Sequence, residues 1–253
     1  MHSTRPSLLS RFALLSLFLS VLFTLPVREA GAQAPITISK DPAQWALIYS
    51  EKINKNRERL KDYSWQYRVE VQENGRPLYI DHLDGSYGAD GRVETIRLSQ
   101  DLQMKQRHGL LLKAGQEAKL REVEAKIATL KKYIGDYVYM TPGQIVDFFG
   151  KARKTDAVGY DNALRLDAEN VLNKGDSVTL FGDKSSAFPL FLAFTVPLDA
   201  KTGIRCEVHF RHLRQMGAFY GSKMEGEFVD LSPVASPKTL TINVESFDYV
   251  AKP

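Results

Sequence analysis

The stretch 63–72 constrains the fold of this chain more than any other, because its side chains alternate strictly in character. Aromatic or aliphatic residues occupy every second position, and polar residues occupy the positions between them. A period of two is typical of a β-strand with one buried face and one face toward solvent. Asn74-Gly75 follows and favours a two-residue hairpin turn, so residues 78–87 are predicted to return as a second strand. The predicted buried face consists of Tyr63, Trp65, Tyr67, Val69 and Val71.

The hairpin is expected to extend into a meander, and more strands are expected in the second half of the chain. A turn at residues 88–91 leads to a third strand at 93–98. The nearly continuous apolar run 190–196 predicts a strand buried on both faces, and a phase slip near Glu245-Ser246 predicts a β-bulge. Six strands are predicted after Gly159, at residues 164–168, 177–181, 190–196, 204–210, 228–231 and 240–249.

Three segments have helical patterns. Asp41 can cap the first helix, and Pro42 suits its first position. A second, highly charged helix is predicted over residues 111–135, and Thr141 caps a shorter third helix. The first helix has an apolar stripe of Trp45, Tyr49, Ile53 and Leu60, and the third has an apolar face of Ile145, Phe148 and Phe149.

This order of elements defines the predicted fold class. Short strands joined by tight turns indicate an antiparallel sheet that is strongly curved or partly closed. Each helix has an apolar stripe that must be buried, and the concave face of such a sheet is the simplest place for it. We therefore predict an α+β fold, with helices packed on the concave face of a curved antiparallel sheet.

Residues 1–32 have the pattern of a secretory signal peptide. Two arginines precede an apolar run at 12–25, and Pro26 and the small residues Ala30-Gly31-Ala32 follow it. We predict cleavage between Ala32 and Gln33, which leaves a single domain at 33–253 in the periplasm or outside the cell. The alternative is that the apolar run remains as an uncleaved anchor. Removal of the leader lowers the formal charge from +4 to about +2, which weakens any case for nucleic-acid binding.

The sequence contains no recognisable catalytic signature, so we expect no cofactor, no metal and no catalytic residue. The single cysteine, Cys206, excludes an intrachain disulfide and is predicted to be a buried, inert thiol. His209 and His212 lie three residues apart on a predicted strand, which places them on opposite faces. His82 lies between Asp81 and Asp84 and is interpreted as a hydrogen-bonded histidine of the sheet wall.

The aromatic stripe of the first strand has two interpretations. It is either ordinary core beneath the first helix, or the lining of an apolar cavity between sheet and helices. In a cavity, the tyrosine hydroxyls and the tryptophan N–H can find hydrogen-bond partners. In the second case the helix carrying Ile145, Phe148 and Phe149 would act as a movable lid. The predicted cavity residues are Trp65, Tyr67, Val69, Val208, Phe210 and Ile242.

The element order resembles that of the LolA/LolB-type lipoprotein-carrier superfamily. The shared features are a signal peptide, a capped helix leading into an aromatic strand, a hairpin meander, helices inserted in the middle of the chain and a closing set of strands. The strand-turn-strand segment around 196–203 is similar to one common in that superfamily. The resemblance implies an exported protein with an unclosed β-barrel and a helical lid over a hydrophobic cavity.

The sequence thus favours a noncatalytic periplasmic protein that binds a lipid, a lipoprotein acyl chain or another apolar ligand. Basic clusters such as Lys131–Lys132 would allow transient contact with a membrane surface. One alternative is an envelope structural or adaptor protein that uses the charged helix 111–135 against a partner. Another is a hydrolase that uses His82. The sequence leaves the oligomeric state open.

Overall fold

A computed structural model of the chain describes residues 42–88, 93–103, 110–213, 217–230 and 240–252. These residues all belong to one compact unit, Thr37–Pro253. The predicted signal peptide with its cleavage site, the predicted cap Asp41 and most of the turn predicted at 88–91 lie outside the described residues. Within the described ranges, no helix combines the length and the apolar character needed to cross a membrane.

The described residues form ten antiparallel strands in one sheet, in the spatial order β3-β2-β1-β10-β9-β8-β7-β6-β5-β4. Strands that follow one another in the chain are neighbours, except β3 and β4, and β1 also pairs with β10. The sheet is curved and does not close, so β3 and β4 are its edges. The strands are β1 (Tyr63–Glu73), β2 (Arg76–Tyr87), β3 (Val93–Leu102), β4 (Arg153–Asp156), β5 (Ala163–Glu169), β6 (Ser177–Asp183), β7 (Pro189–Pro197), β8 (Thr202–Leu213), β9 (Ala218–Asp230) and β10 (Leu240–Ala251).

Three helices occur in the described ranges: α1 (Pro42–Leu60), α2 (Leu110–Val138) and α3 (Pro142–Lys151). Helix α1 precedes β1, and α2 and α3 lie between β3 and β4 in the chain. Buried residues of all three helices belong to the same core as the inner positions of the strands. The predicted α+β fold, with helices on the concave face of a curved sheet, is confirmed.

The first hairpin agrees with its sequence pattern. Trp65, Tyr67, Val69 and Val71 are buried, and the residues between them are half-buried or exposed; Tyr63, at the start of the predicted buried face, is only half-buried. Asn74 and Gly75 have φ values of 50° and 72°, as a type I′ turn requires, and the strand residues on either side of them pair. Glycine and asparagine tolerate this left-handed conformation, which fixes the register of the hairpin.

Helices α1 and α3 also agree with prediction. All four stripe residues of α1 are buried, as are Ile145, Phe148 and Phe149 of α3. The Thr141 side chain accepts a hydrogen bond from the Gln144 amide, and the Gln144 side chain accepts one from the Thr141 amide. This reciprocal capping box starts α3 where the sequence places it.

The strands differ from prediction in four respects. The strand predicted to be buried on both faces, β7, buries Pro189 at its start and then Leu192, Phe194 and Val196, and its other face is half-buried. On that outer face the Phe191 ring packs against Phe181 and His209, which explains the apolar character without full burial. The bulge predicted near Glu245-Ser246 lies farther along β10, where Asp248 has a φ of 51° and the pairing with β1 shifts.

The other corrections are a missing strand and a strand that was predicted too short. Strand β4 was not predicted, because its charged sequence shows no apolar alternation and it lies at the edge of the sheet. Strand β9 spans 13 residues, whereas only 228–231 were predicted. Gly221 and Gly226 interrupt its pattern of apolar residues, although the backbone pairs with β8 on both sides of a register shift at Gly221.

A candidate ligand-binding cavity

A cavity of about 840 Å³ lies between the inner face of the sheet and the helices. Helices α1 and α2 and the start of α3 supply one side, and strands β1, β8, β9 and β10 supply most of the other. Its volume is in the range of about 300–1,000 Å³ that is typical of small-molecule sites. The cavity lining includes all six predicted cavity residues: Trp65, Tyr67, Val69, Val208, Phe210 and Ile242.

The strand side of the cavity follows directly from alternation and register. Val69 of β1 pairs with Val244 of β10, so apolar side chains of neighbouring strands meet on the inner face. At one end, the Trp65 ring stacks on Tyr249, with ring centroids 5.3 Å apart, and contacts Tyr87 at 5.4 Å. This end of the cavity is therefore an aromatic wall.

The helix side of the cavity is held by the C-terminal half of α2. Its Ile127, Leu130 and Ile134 line the cavity. Tyr137, one helical turn beyond Ile134, stacks on Phe194 of β7 at a centroid distance of 4.3 Å and donates a hydrogen bond to Asp176. This contact attaches the end of α2 to the sheet.

Asp176 is the polar anchor of that attachment. Its carboxylate is 1% exposed and accepts hydrogen bonds from the amides of Val171, Leu172 and Asn173 at 2.6, 2.9 and 2.7 Å. Burial and the bond to Asp176 raise the pKa of Tyr137. Sequence reasoning missed this role. An aspartate beside a turn can satisfy nearby amides, and that was the available signal.

The residues of the predicted lid divide into two groups. Ile145 lines the cavity, whereas Phe148 and Phe149 are buried away from it. The Phe149 ring packs against Trp45 at 6.2 Å and Tyr49 at 5.5 Å, so it joins α3 to α1. Movement of α3 as a rigid lid would break these contacts. A lid function remains a prediction, with Ile145 as its cavity-facing residue.

The cavity also contains a small polar region, which the sequence did not reveal. Arg57 of α1 lies with its guanidinium carbon 5.0 Å from the centre of the Tyr139 ring. The hydroxyl oxygens of Tyr139 and Tyr87 are 2.9 Å apart. Burial, and then the neighbouring Tyr139, raises the pKa of Tyr87 far above its usual value, and Arg57 acts in the opposite direction. Asn56, by contrast, is satisfied by the backbone of Phe219 at 2.7 and 2.8 Å.

The histidines and the cysteine that the sequence analysis considered as catalytic or metal-binding residues do not line the cavity. His82 is exposed on the outer face of β2. The His209 ring contacts Phe191, and the His212 ring contacts Phe188, so the two histidines do not meet. Cys206 is buried, and burial raises the pKa of its thiol to about 12. In the described ranges, no three His, Cys, Asp or Glu side chains are grouped so that they could hold a metal ion.

Comparison with known proteins gives distant structural similarities. No protein-family model and no curated protein sequence matches the chain. A LolA superfamily protein from Nitrosomonas europaea is similar over 82% of this chain and 94% of its own, with 12% identity and a TM-score of 0.32. The Pseudomonas aeruginosa MucA/MucB complex is similar over 81% of this chain and 99% of the matched chain, with 11% identity and a TM-score of 0.22. A second MucB–MucA structure covers 84% of this chain and all of its own, with 10% identity and the same TM-score. Similarities at this level define no function.

Proposed function

We propose that this protein binds a lipid, a lipoprotein acyl chain or another apolar ligand without chemically changing it. The observation that carries the proposal is the cavity of about 840 Å³, whose walls are aliphatic and aromatic side chains of the sheet and of α1 and α2. Cavities of this size and character are the common form of binding sites for apolar small molecules. The signal-peptide pattern of residues 1–32 supports a location in the periplasm or outside the cell.

Burial of an acyl chain provides enough free energy for such binding. Each methylene removed from water contributes about 0.8 kcal/mol, so ten of them would contribute about 8 kcal/mol. That corresponds to a Kd of about 1 μM before the cost of immobilising the chain is subtracted. A longer chain, or additional contacts of the head group, would offset that cost.

Native mass spectrometry of the protein purified from an exporting host tests the proposal, followed by solvent extraction and identification of bound molecules. We expect a co-purifying lipid, or an apo protein that takes up a fluorescent fatty acid. A clean apo mass together with no uptake of the fluorescent fatty acid would contradict the proposal.

A pair of neighbouring substitutions locates the bound chain. Val244 lines the cavity and is only half-buried, so Val244→Trp should fill part of the cavity and weaken fatty-acid uptake at least about tenfold. Asn243 is the next residue of β10, and its side chain lies on the opposite face of the strand. Asn243→Trp adds the same ring outside the cavity and should leave uptake unchanged. Equal uptake by both variants would place the ligand elsewhere.

A further inference from the structure

Arg57 introduces a positive charge into the wall of a cavity that is otherwise mainly apolar. Its side chain is half-buried, and its Nε atom is inaccessible to solvent and has no hydrogen-bond partner among the described residues. None of the ion pairs found between described residues includes it. A guanidinium N–H that is removed from solvent and has no acceptor is unfavourable. The unfilled hydrogen-bonding capacity of Arg57 therefore indicates a partner that is not part of the described chain.

The other charged residues of the cavity do not supply that partner. Asp136 also lines the cavity, but its carboxylate pairs with Lys132 one helical turn away, at 3.1 Å. Lys131 lines the cavity as well. The charged side chains that line the cavity thus carry an excess of positive charge, which favours an anion.

Two tyrosine hydroxyls complete the polar region. The Tyr139 ring lies 5.0 Å from the Arg57 guanidinium carbon, and the Tyr139 and Tyr87 hydroxyl oxygens are 2.9 Å apart. When two hydroxyls share one hydrogen bond, one of them donates and the other keeps its own hydrogen for a further acceptor. An oxyanion in this position would accept hydrogen bonds from the guanidinium and from one tyrosine, both of which become stronger when the acceptor is charged.

The polar region adjoins the aromatic wall, and Tyr87 belongs to both. The Trp65 ring contacts Tyr87 at 5.4 Å, so the aromatic wall begins directly beside the hydroxyl pair. Tyr67 and Val69 continue along the same face of β1 and line the same cavity. A ligand whose anionic group lies at Arg57 could extend its chain along this strand.

We propose that Arg57, together with Tyr87 and Tyr139, binds the oxyanion head group of an acyl ligand, a carboxylate or a phosphate, whose chain occupies the apolar cavity. This inference rests on the proposed function and specifies the chemical class of its ligand. It predicts selectivity between ligands that share a chain but differ in the charge of the head group.

The test compares oleate with oleyl alcohol, which have the same chain and differ in the head group. Binding is measured by isothermal titration calorimetry on the intact protein, below the concentration at which either ligand aggregates. We expect the wild-type protein to bind oleate about tenfold to a hundredfold more tightly, the range for hydrogen bonds to a charged group. Oleoyl lysophosphatidate, measured in parallel, distinguishes a phosphate head from a carboxylate.

Two variants of α1 assign the selectivity to Arg57. Arg57→Gln should bring the affinities for oleate and oleyl alcohol together. Lys55→Gln removes the same charge from an exposed position of the same helix, where Lys55 pairs with Glu51, and should leave both affinities unchanged. If Arg57→Gln does not fold, Arg57→Lys and Tyr139→Phe test the same site, and both should reduce the selectivity.

The outcomes separate the two proposals. Equal binding of oleate and oleyl alcohol by the wild-type protein would overturn the head-group site and leave the apolar cavity as the binding site. Selectivity that survives in folded Arg57→Gln would also overturn the role of Arg57. Failure of the wild-type protein to bind any of these ligands would overturn the proposed function itself.

Discussion

The contact between Gly226 of β9 and Leu130 of α2 tests how closely the helix side of the cavity packs on the sheet. A β-carbon at position 226 would lie 2.4 Å from Cδ2 of Leu130 and 3.1 Å from Cδ1. Carbon atoms in contact are normally about 3.5–4.0 Å apart, so the Leu130 side chain would have to move by about 1 Å. Leu130 is 2% exposed, so this movement must disturb its contacts in the core or turn the side chain into the cavity that it lines.

Gly226→Ala is therefore expected to lower the free energy of unfolding by about 1–3 kcal/mol, the usual cost of overpacking. For a protein of this size, that corresponds to a fall in Tm of about 2–10 °C. The assay is urea denaturation followed by circular dichroism and tryptophan fluorescence. Gly143→Ala is the matched control, because a β-carbon at this exposed position of α3 meets nothing within 4 Å. That variant should be neutral or slightly stabilising.

A double variant tests whether the destabilisation by Gly226→Ala comes from its contact with Leu130. Leu130→Ala alone should lower stability by about 2–5 kcal/mol through loss of a buried side chain. In Gly226→Ala/Leu130→Ala, the added methyl group occupies space that the leucine has vacated. The combined loss should then be smaller than the sum of the single losses by about 1–2 kcal/mol. Strict additivity, or a neutral Gly226→Ala, would show that α2 does not pack on β9 through Leu130.

Two further predictions concern buried groups. Asp176→Ala should lower the free energy of unfolding by about 3 kcal/mol or more, because three amides lose a charged acceptor. Urea denaturation would measure this loss, and a loss below about 1 kcal/mol would contradict the anchoring role. Cys206 should not react with a thiol reagent at pH 8 in the native protein, since burial raises the pKa of its thiol to about 12, and it should react fully in urea. Rapid labelling of the folded protein would show that β8 opens readily.

The elements predicted correctly are those in which burial and chemical character alternate with one clear period. The stripe of α1 and the inner face of β1 are examples, because one side of each element contacts the core. Strand β4 was not predicted because an edge strand needs no apolar face. Most of β9 was not predicted because Gly226 stands where an apolar side chain would otherwise continue the alternation, and the Leu130 side chain packs against that position. In both cases the reason lies in neighbours that are distant in sequence.

The candidate site was predictable only in its apolar part. Trp65 and Ile242 face the cavity because alternation already assigns them to the inner face. Arg57, by contrast, is one of several charged residues of α1, and nothing in its local sequence distinguishes it from Lys55 or Arg59. Its significance arises only when the fold brings Tyr87 of β2 and Tyr139, just after α2, close to it.

The open sheet has a mechanical consequence. One half of the cavity wall consists of strands joined by a continuous ladder of backbone hydrogen bonds, and changing its shape would require breaking that ladder. The other half consists of helices, and among them α2 contacts the sheet through side chains such as Leu130 and through the link from Tyr137 to Asp176. A small displacement of α2 would change side-chain contacts and leave the strand pairing intact. The protein therefore combines a stiff wall with a compliant one, which would allow ligands of different girth to be enclosed without unfolding any strand.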